Sequence, residues 1–280
     1  MNKLKSGLYI VSTPIGNLDD ITLRSLAVLK KSDIILCEDT RRSLKLLNHY
    51  KIKKKLFSYH KFNEKKELQK IIEYLKEGKI LSLISDAGTP TLSDPGLLLV
   101  KACIEEKIEI FPITGSSAIT AAVSVSGFSD QFLFYGFLPK TENNLIKIIN
   151  SLKNLDFSIV FFIPGIKINF YLKFFKDFFL GRDILIAREI SKIHETFYRD
   201  KISTIKPFKT ALKGELTIVI SKIYINNETV NDLDIVTEAT EYLKKYSLKD
   251  VVELISKKEK VSKKKVYEIC LKIKNDKKNN

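Results

Sequence analysis

The chain reads as an α/β protein of two lobes, a parallel-sheet N-terminal lobe and a mixed-sheet C-terminal lobe, followed by a small helical tail. Three observations predict this. Short β-rich runs alternate with amphipathic stretches up to residue 113, a pattern that buries a mostly parallel sheet between two helical layers. A small-residue stretch, Thr114 to Ser126, breaks the alternation. The strand-like runs from Glu195 onward then follow one another without a long helix, which implies a mixed or partly antiparallel second sheet. Past the polar stretch Asn226 to Asp234 the pattern turns helical and strongly basic. The expected bodies are 1–113, 114–225 and 235–280.

In the first lobe, Leu8–Val11, Ile34–Cys37, Leu56–Tyr59, Ile80–Ile84 and Ile108–Phe111 read as strands. The clearest helix runs from Glu64 to Glu77, with Leu68, Ile71, Ile72 and Leu75 on one face, Asn63 placed to cap its start and Gly78 to end it. In the second lobe, strands are expected at Phe132–Tyr135, Ile159–Phe162, Ile184–Arg188, Thr196–Arg199 and Glu215–Ile220. Ser247 and Ser262 are placed to cap two tail helices joined by Lys257–Val261, an arrangement like a helix-turn-helix.

With 280 residues, 44% of them apolar, the chain has enough material for a sizeable core in each lobe. Cys37, Cys103 and Cys270 are odd in number and lack paired spacing, so neither a zinc site nor a disulfide framework is expected, and no metal. The apolar run Leu8–Val11 is cut short by Pro14 and Gly16 before a signal peptide can form, and no run approaches the ~18 residues of a membrane span, so a cytoplasmic location without membrane attachment is expected. A net charge of +15 favours a polyanionic partner, although only six of the 48 basic residues are arginines, so biased composition accounts for part of the excess. From Glu241 to Asn280 there are 13 Lys against six acids. Those lysines, among them Lys263, Lys264 and Lys265, either face RNA or form a solvated helical surface.

Three loops at predicted strand ends carry unusual chemistry. Ser12 to Thr22 (STPIGNLDDIT) is made tight by Pro14 and Gly16, with Asp19 and Asp20 expected to open a helix. Cys37 to Ser43 (CEDTRRS) puts Glu38, Asp39, Arg41 and Arg42 together. Ser85 to Gly96 (SDAGTPTLSDPG) alternates glycine, proline and hydroxyl or acidic residues, as a rigid ligand loop would. It lacks the Gly-Lys-Ser/Thr of a nucleotide phosphate loop, and no GxGxxG is present, so a nucleotide-binding regulator is disfavoured.

TPIGNLDDIT, EDTR at Glu38–Arg41, SDAGTPTLSDPG, the turn at Thr114–Ser117, ARE at Ala187–Glu189 and GE at Gly214–Glu215 occur in that order. Together they resemble the ribosomal RNA small subunit methyltransferase I family of the tetrapyrrole methylase superfamily, from about Leu8 to Ile220, and the basic tail is similar to that family's C-terminal segment. The resemblance implies a bilobed methylase fold, S-adenosylmethionine bound between the lobes, a homodimer, and 2′-O-methylation of cytidine 1402 of 16S rRNA in the 30S subunit. The sequence departs from the family at Ile113–Ser117, where Gly115 is kept but the usual Pro-Gly-Pro turn is not. It departs again at Phe162–Lys167, where a polar run is replaced by Phe-Ile-Pro-Gly-Ile-Lys.

Methyl transfer to a ribose hydroxyl needs an aligned acceptor and a group to take its proton. His49, His60 and His194 lie outside the strongest motifs. Glu38, Asp39 and Asp86 are therefore the candidate bases, with Glu189 behind them, and capping or pairing with Arg41, Arg42 or Arg188 is the alternative for each. Asp86, Ala87, Gly88, Thr89, Pro90 and Asp94 are assigned to the cofactor. So are Thr114, Gly115, Ser116 and Ser117, at a helix start whose amides suit a carboxylate. Arg41 and Arg42 are assigned to RNA phosphate. Two alternatives stay open: a tetrapyrrole C-methyltransferase of the same fold, and a ribosome-associated RNA-binding protein without catalysis.

Overall fold

The computed structural model describes residues 4–128, 130–223, 232–258 and 261–276. The chain divides into two compact units, Met1–Lys222 and Ile223–Asn280, and both sheets lie in the first.

The N-terminal lobe is built from β1 (Gly7–Val11), α1 (Leu23–Lys31), β2 (Ile34–Cys37), α2 (Thr40–His49), β3 (Lys55–Ser58), α3 (Glu64–Lys76), β4 (Ile80–Ile84), α4 (Leu97–Glu105) and β5 (Ile110–Ile113). Its sheet has the order β3-β2-β4-β1-β5 and every pairing is parallel. Period-two alternation divides each central strand between two cores: Leu8, Ile34 and Leu36 pack under α3 and α4, while Tyr9, Val11, Ile35 and Cys37 pack under α1 and α2. The predicted strand at Ile108–Phe111 begins two residues later, because the chain first turns through Lys107 at φ +56°. It runs on through Pro112, which costs no ladder bond on an edge strand.

Two expected helix starts differ. Asp19 and Asp20 sit in a single 3-10 turn, with the Asn17 side chain accepting from the Asp19 amide, and α1 begins only after Thr22, whose hydroxyl accepts from the Ser25 amide. Asn63 precedes α3 but does not cap it. Its carboxamide is used inside the preceding turn instead, accepting from the His60 amide and donating to the Ser58 carbonyl. Gly78 ends that segment at φ +82° as expected.

The C-terminal lobe follows α5 (Ala118–Ser124), with β6 (Phe132–Phe137), α6 (Glu142–Leu152), β7 (Ser158–Pro164), α7 (Ile168–Phe178), β8 (Asp183–Arg188), β9 (Thr196–Lys201) and β10 (Glu215–Ile220). The sheet order is β6-β7-β10-β8-β9, with β6 and β7 parallel and the other pairs antiparallel, so the sheet is mixed as the missing helices implied. One face packs α6 and α7 through Phe161, Tyr171, Phe175 and Ile186; the other covers α5 through Val160, Leu185 and Val219. Phe162–Lys167 is not a loop. Its first three residues complete β7, and Gly165–Lys167 turn into α7 with Gly165 held so close to Leu212 that a Cβ would stand 2.5 Å from the Leu212 carbonyl oxygen.

The second unit contains α8 (Asp232–Tyr242), α9 (Leu248–Lys258) and α10 (Lys263–Asp276) around a core of Ile235, Ala239, Val251, Ile255, Val266 and Cys270. Most of the polar stretch Asn226–Asp234 and part of the predicted connection at Lys257–Val261 lie outside the described residues. Ser247 and Ser262 accept from the Asp250 and Lys265 amides at the starts of α9 and α10. Lys263, Lys264 and Lys265 occupy the first turn of α10, where the helix dipole disfavours cations.

Candidate active site

The carboxyl ends of the first sheet form one edge of a cleft, as expected for a parallel sheet with ligand loops. The loops after β1 and β4 are stitched together there. Thr13 and Gly88 exchange both backbone hydrogen bonds, at 2.9 and 3.0 Å, and the hydroxyls of Ser12 and Thr89 lie 2.9 Å apart. Within Ser85–Gly96 the backbone enters the left-handed region at Gly88, Thr91, Ser93 and Gly96. A non-glycine residue there costs about 1–3 kcal/mol and persists only when the surroundings hold it, so this loop stores strain at the cleft.

The second lobe closes over these loops. The Asn17 amide donates to Ser191 Oγ at 2.8 Å, and Ser191 Oγ also bonds the Asp20 carboxylate. A Cβ on Gly136 of β6 would stand 2.8 Å from Ser93 Oγ, and one on Gly16 would stand 2.4 Å from Lys192 Cγ, so backbone approaches side chain at both crossings. Glu189 and Ser191 take positive φ, 50° and 68°, where the connection from β8 to β9 bends over the first lobe.

Between the lobes lies a cavity of about 410 Å³. The first lobe and α5 contribute Asp86, Ala87, Gly88, Thr89, Asp94 and Ser117 from the expected cofactor set. The other four do not line it. Pro90 is buried under the loop, and Gly115 sits against Ser12 where a Cβ would come within 2.9 Å of the Ser12 side chain. Ser116 donates to the Asp20 carbonyl, and Thr114 is exposed beyond β5. The second lobe supplies apolar surface from Phe137, Phe162, Ile163 and Leu216, and charge from Glu189, Lys192 and Glu215.

Two ion-pair groups stand at the cavity wall. Arg42 reaches Asp86 at 3.1 Å, and Asp86 also accepts from the Asp39 amide at 3.3 Å. Lys192 Nζ lies 3.0 Å from Glu189 and 3.1 Å from Glu215, while the Glu189 carboxylate accepts from the Glu215 amide. Although burial opposes it, that amide bond and Lys192 leave the Glu189 carboxyl below its ordinary range. Asp94 behaves oppositely. Burial pushes its carboxyl up to about 6, with a hydrogen bond from Ser85 opposing and the charges of Glu38, Asp86 and Glu215 adding to the rise.

The three candidate bases separate. Asp39 caps α2 by accepting from the Arg41 amide at 2.8 Å and pairs with the Arg41 guanidinium, which holds its carboxyl well below the usual range. Glu38, raised by burial and then by the Asp86 charge, is absent from the cavity wall. Asp86 lines the cavity. Lys192 and Glu215 had no assigned role in the sequence, although GE at Gly214–Glu215 stood out as a motif: Gly214, at φ +93°, sits where a Cβ would meet the Glu189 carboxyl at 2.4 Å.

A model of the family Tetrapyrrole (Corrin/Porphyrin) Methylases matches residues 7–206. A Thermotoga maritima protein named ribosomal RNA small subunit methyltransferase I is 46% identical over 217 residues, covering 76% of this chain and 97% of that protein. A Rickettsia prowazekii protein of the same name is 43% identical over 275 residues, covering 95% and 96%. The chain belongs to the ribosomal RNA small subunit methyltransferase I family. Like its relatives in that family it is a methyltransferase. Solved structures share the family's fold at low identity. Diphthine synthase superposes with a TM-score of 0.61 at 13% identity over 76% of this chain and 89% of that one. A Thermus thermophilus uroporphyrin-III C-methyl transferase complexed with S-adenyl homocysteine gives 0.55 at 12%, over 78% and 98%.

Because the Lys192 stem rests on Gly16, a methyl group there is expected to push the connection 189–195 outward and pull Lys192 from its two carboxylates. Gly16→Ala should slow methyl transfer by about 10–100-fold through misalignment, with a melting temperature within a few degrees of wild type. Single-turnover kinetics beside thermal denaturation checks this.

Proposed function

We propose that this enzyme transfers the methyl group of S-adenosylmethionine to the ribose 2′-hydroxyl of cytidine 1402 of 16S rRNA in the 30S subunit, acting in the cytoplasm as a homodimer. The observation that carries the reading is the inter-lobe cavity. It joins aromatic and aliphatic walls suited to an adenine, hydroxyl and backbone groups suited to a ribose, and the Asp94 carboxylate suited to a cationic amine. Relatives sharing 38–48% of the aligned sequence carry the rRNA name, and one solved neighbour of this fold holds S-adenyl homocysteine. Among the described residues no cluster of metal-ligating side chains occurs. No described helix is long and apolar enough to cross a membrane.

The bound donor would supply an electrophilic methyl on a sulfonium. The protein's share is alignment and proton removal. A ribose hydroxyl that accepts the methyl group would release its proton, and a carboxylate of the protein would take it up. Asp86 is the acceptor this reading assigns. It lies on the cavity wall as Glu189 does, and each is ion-paired, Asp86 with Arg42 and Glu189 with Lys192, so Glu189 is the alternative acceptor. Arg42 holds Asp86 in place and meets RNA phosphate with its exposed remaining donors. Arg41, committed to Asp39 but exposed, and Lys263–Lys265 of the separate helical unit add phosphate contacts.

Purified protein incubated with methyl-labelled S-adenosylmethionine and 30S subunits lacking this modification should label a single cytidine ribose, located by nuclease digestion and mass spectrometry. Cofactor binding without RNA labelling sinks the RNA assignment.

Asp94 gives the cofactor site a pH dependence. Its folded pKa lies above the ordinary carboxylate value, so its stability contribution is fully present below about pH 4 and lost as pH rises through about 6. Ionisation over the same window gives a cationic donor its counter-charge. Affinity for S-adenosylmethionine should therefore rise between pH 5 and 7, and Asp94→Asn should flatten the rise in a calorimetric titration.

A further inference from the structure

A second chamber, of about 590 Å³, opens beside the cofactor cavity between the loop after β1 and helix α2. The two chambers share one wall, made of Ile15, Arg42, Asp86, Ala87, the Glu189–Lys192 pair and Gly214–Glu215. Beyond that wall the second chamber is built differently from the first. Pro14, Leu18 and Leu46 give it apolar surface, Ser43 and Ser85 give it hydroxyls, and Lys45 adds a cation. Arg42 and Lys192 are engaged with carboxylates, whereas Lys45 has no ion-pair partner among the described residues.

Rigidity is built into the chamber. Tyr50, just past α2, donates its hydroxyl to the Leu18 carbonyl, and Ser191 fastens Asn17 and Asp20 from the second lobe, so the segment 17–20 of the loop after β1 is pinned from both lobes. We infer that this chamber receives one nucleotide of an RNA strand, swung out of its stack, with its base on the Pro14–Leu18–Leu46 surface, its phosphate at Lys45 and Arg42, and its ribose at the wall shared with the cofactor.

The chemistry follows from the two volumes. A methyl group travels only the length of a bond, so donor and acceptor must meet at a common wall, and only a group facing both chambers can hold one reactant against the other. Asp86, Glu189 and Glu215 face both; Asp94 faces the cofactor side alone, and Glu38 and Asp39 face neither. An enzyme acting on one nucleotide needs a pocket for it outside the stack, and a chamber of this size holds a base, a sugar and a phosphate. The unpaired Lys45 supplies the complementary charge that a phosphate keeps on leaving water.

This rests on the rRNA methylation reading, and the test separates the two. The full chain, with S-adenosylhomocysteine present, is titrated with cytidine 5′-monophosphate by calorimetry. Lys45→Glu and Leu46→Trp are then compared with wild type for this binding, for the KM toward 30S subunits and for cofactor affinity. Wild type should bind the mononucleotide at millimolar concentration. Both variants should weaken that binding at least about tenfold and raise the KM for 30S by a similar factor, with cofactor affinity unchanged. If both variants keep the wild-type KM, or wild type shows no mononucleotide binding, the chamber is not the nucleotide site while methylation stands. If wild type binds the mononucleotide and both variants lose it, yet no methyl reaches 30S, the chamber stands and the rRNA reading falls.

Discussion

Asp86→Asn is expected to lower the rate of methyl transfer by about two to four orders of magnitude while changing cofactor affinity only a few-fold. Asparagine keeps the size of the side chain and an oxygen to accept from the Asp39 amide, so the wall between the chambers keeps its shape. What it loses, on the proposed mechanism, is the ability to take up the acceptor's proton. Arg42 is left without its carboxylate, but its side chain is 70% exposed and water solvates it. Single-turnover measurement with saturating donor isolates the chemical step. A variant within threefold of wild type would remove Asp86 as the proton acceptor. Glu38→Gln and Asp39→Asn serve as contrasts. Neither residue faces a chamber, and asparagine is as good an N-cap for α2 as aspartate, so both should keep most of the rate.

Arg182→Ala is expected to destabilise the second lobe by about 3–5 kcal/mol, lowering the melting temperature by roughly 10 °C, with little change in turnover of the folded enzyme at low temperature. Arg182 is 1% exposed. Its guanidinium donates to four carbonyls, of Lys153, Leu155, Phe157 and Ser221, at 2.6 to 3.4 Å, and its plane faces the Phe179 ring at 5.3 Å. It thus ties the connection between α6 and β7 to the end of β10. Among the described residues no carboxylate forms an ion pair with it, and burial lowers its pKa with the charge of Asp156 opposing. Truncation strands several buried carbonyls at once. Because Arg182 precedes β8 and the cleft residue Glu189 follows it, the lesion lies at the far end of that strand from the chemistry. Differential scanning calorimetry and an assay at low temperature read the two effects separately, and an unshifted melting temperature would show that water replaces the guanidinium. Arg182→Lys should recover only part of the loss, since one ammonium cannot span four acceptors.

Much of this molecule was legible along the chain. The strand at Ile34–Cys37 is buried on both faces and bounded by turns, and it stands as read. The alternation of strands and helices up to β5 leaves a parallel sheet as its only compact solution, and the lack of a helix between β8, β9 and β10 leaves an antiparallel one. The strained loop Ser85–Gly96 could be recognised because its glycines and prolines restrict the backbone by themselves. Where reading failed, a neighbour had intervened. Asn63 was drawn from its helix by Ser58 and His60, and Pro112 was tolerated because β5 is an edge.

The sequence by itself determined the element types, their order and the loops that bear chemistry, because these depend on φ/ψ limits and on periodicities of two and 3.6 residues within short segments. Only the tertiary structure decided which of the three candidate acids faces the cleft. Glu38, Asp39 and Asp86 look equivalent as residues at strand ends; they are separated by Arg41 claiming Asp39, by Glu38 lying off the cavity wall, and by a second lobe further along the chain closing against Asp86. The partnership of Lys192 with Glu189 and Glu215, its stem resting on Gly16, and the four carbonyls around Arg182 are likewise products of packing between distant segments. Such contacts leave no period in the chain to read, since their energy comes from groups that meet only when both sheets are formed.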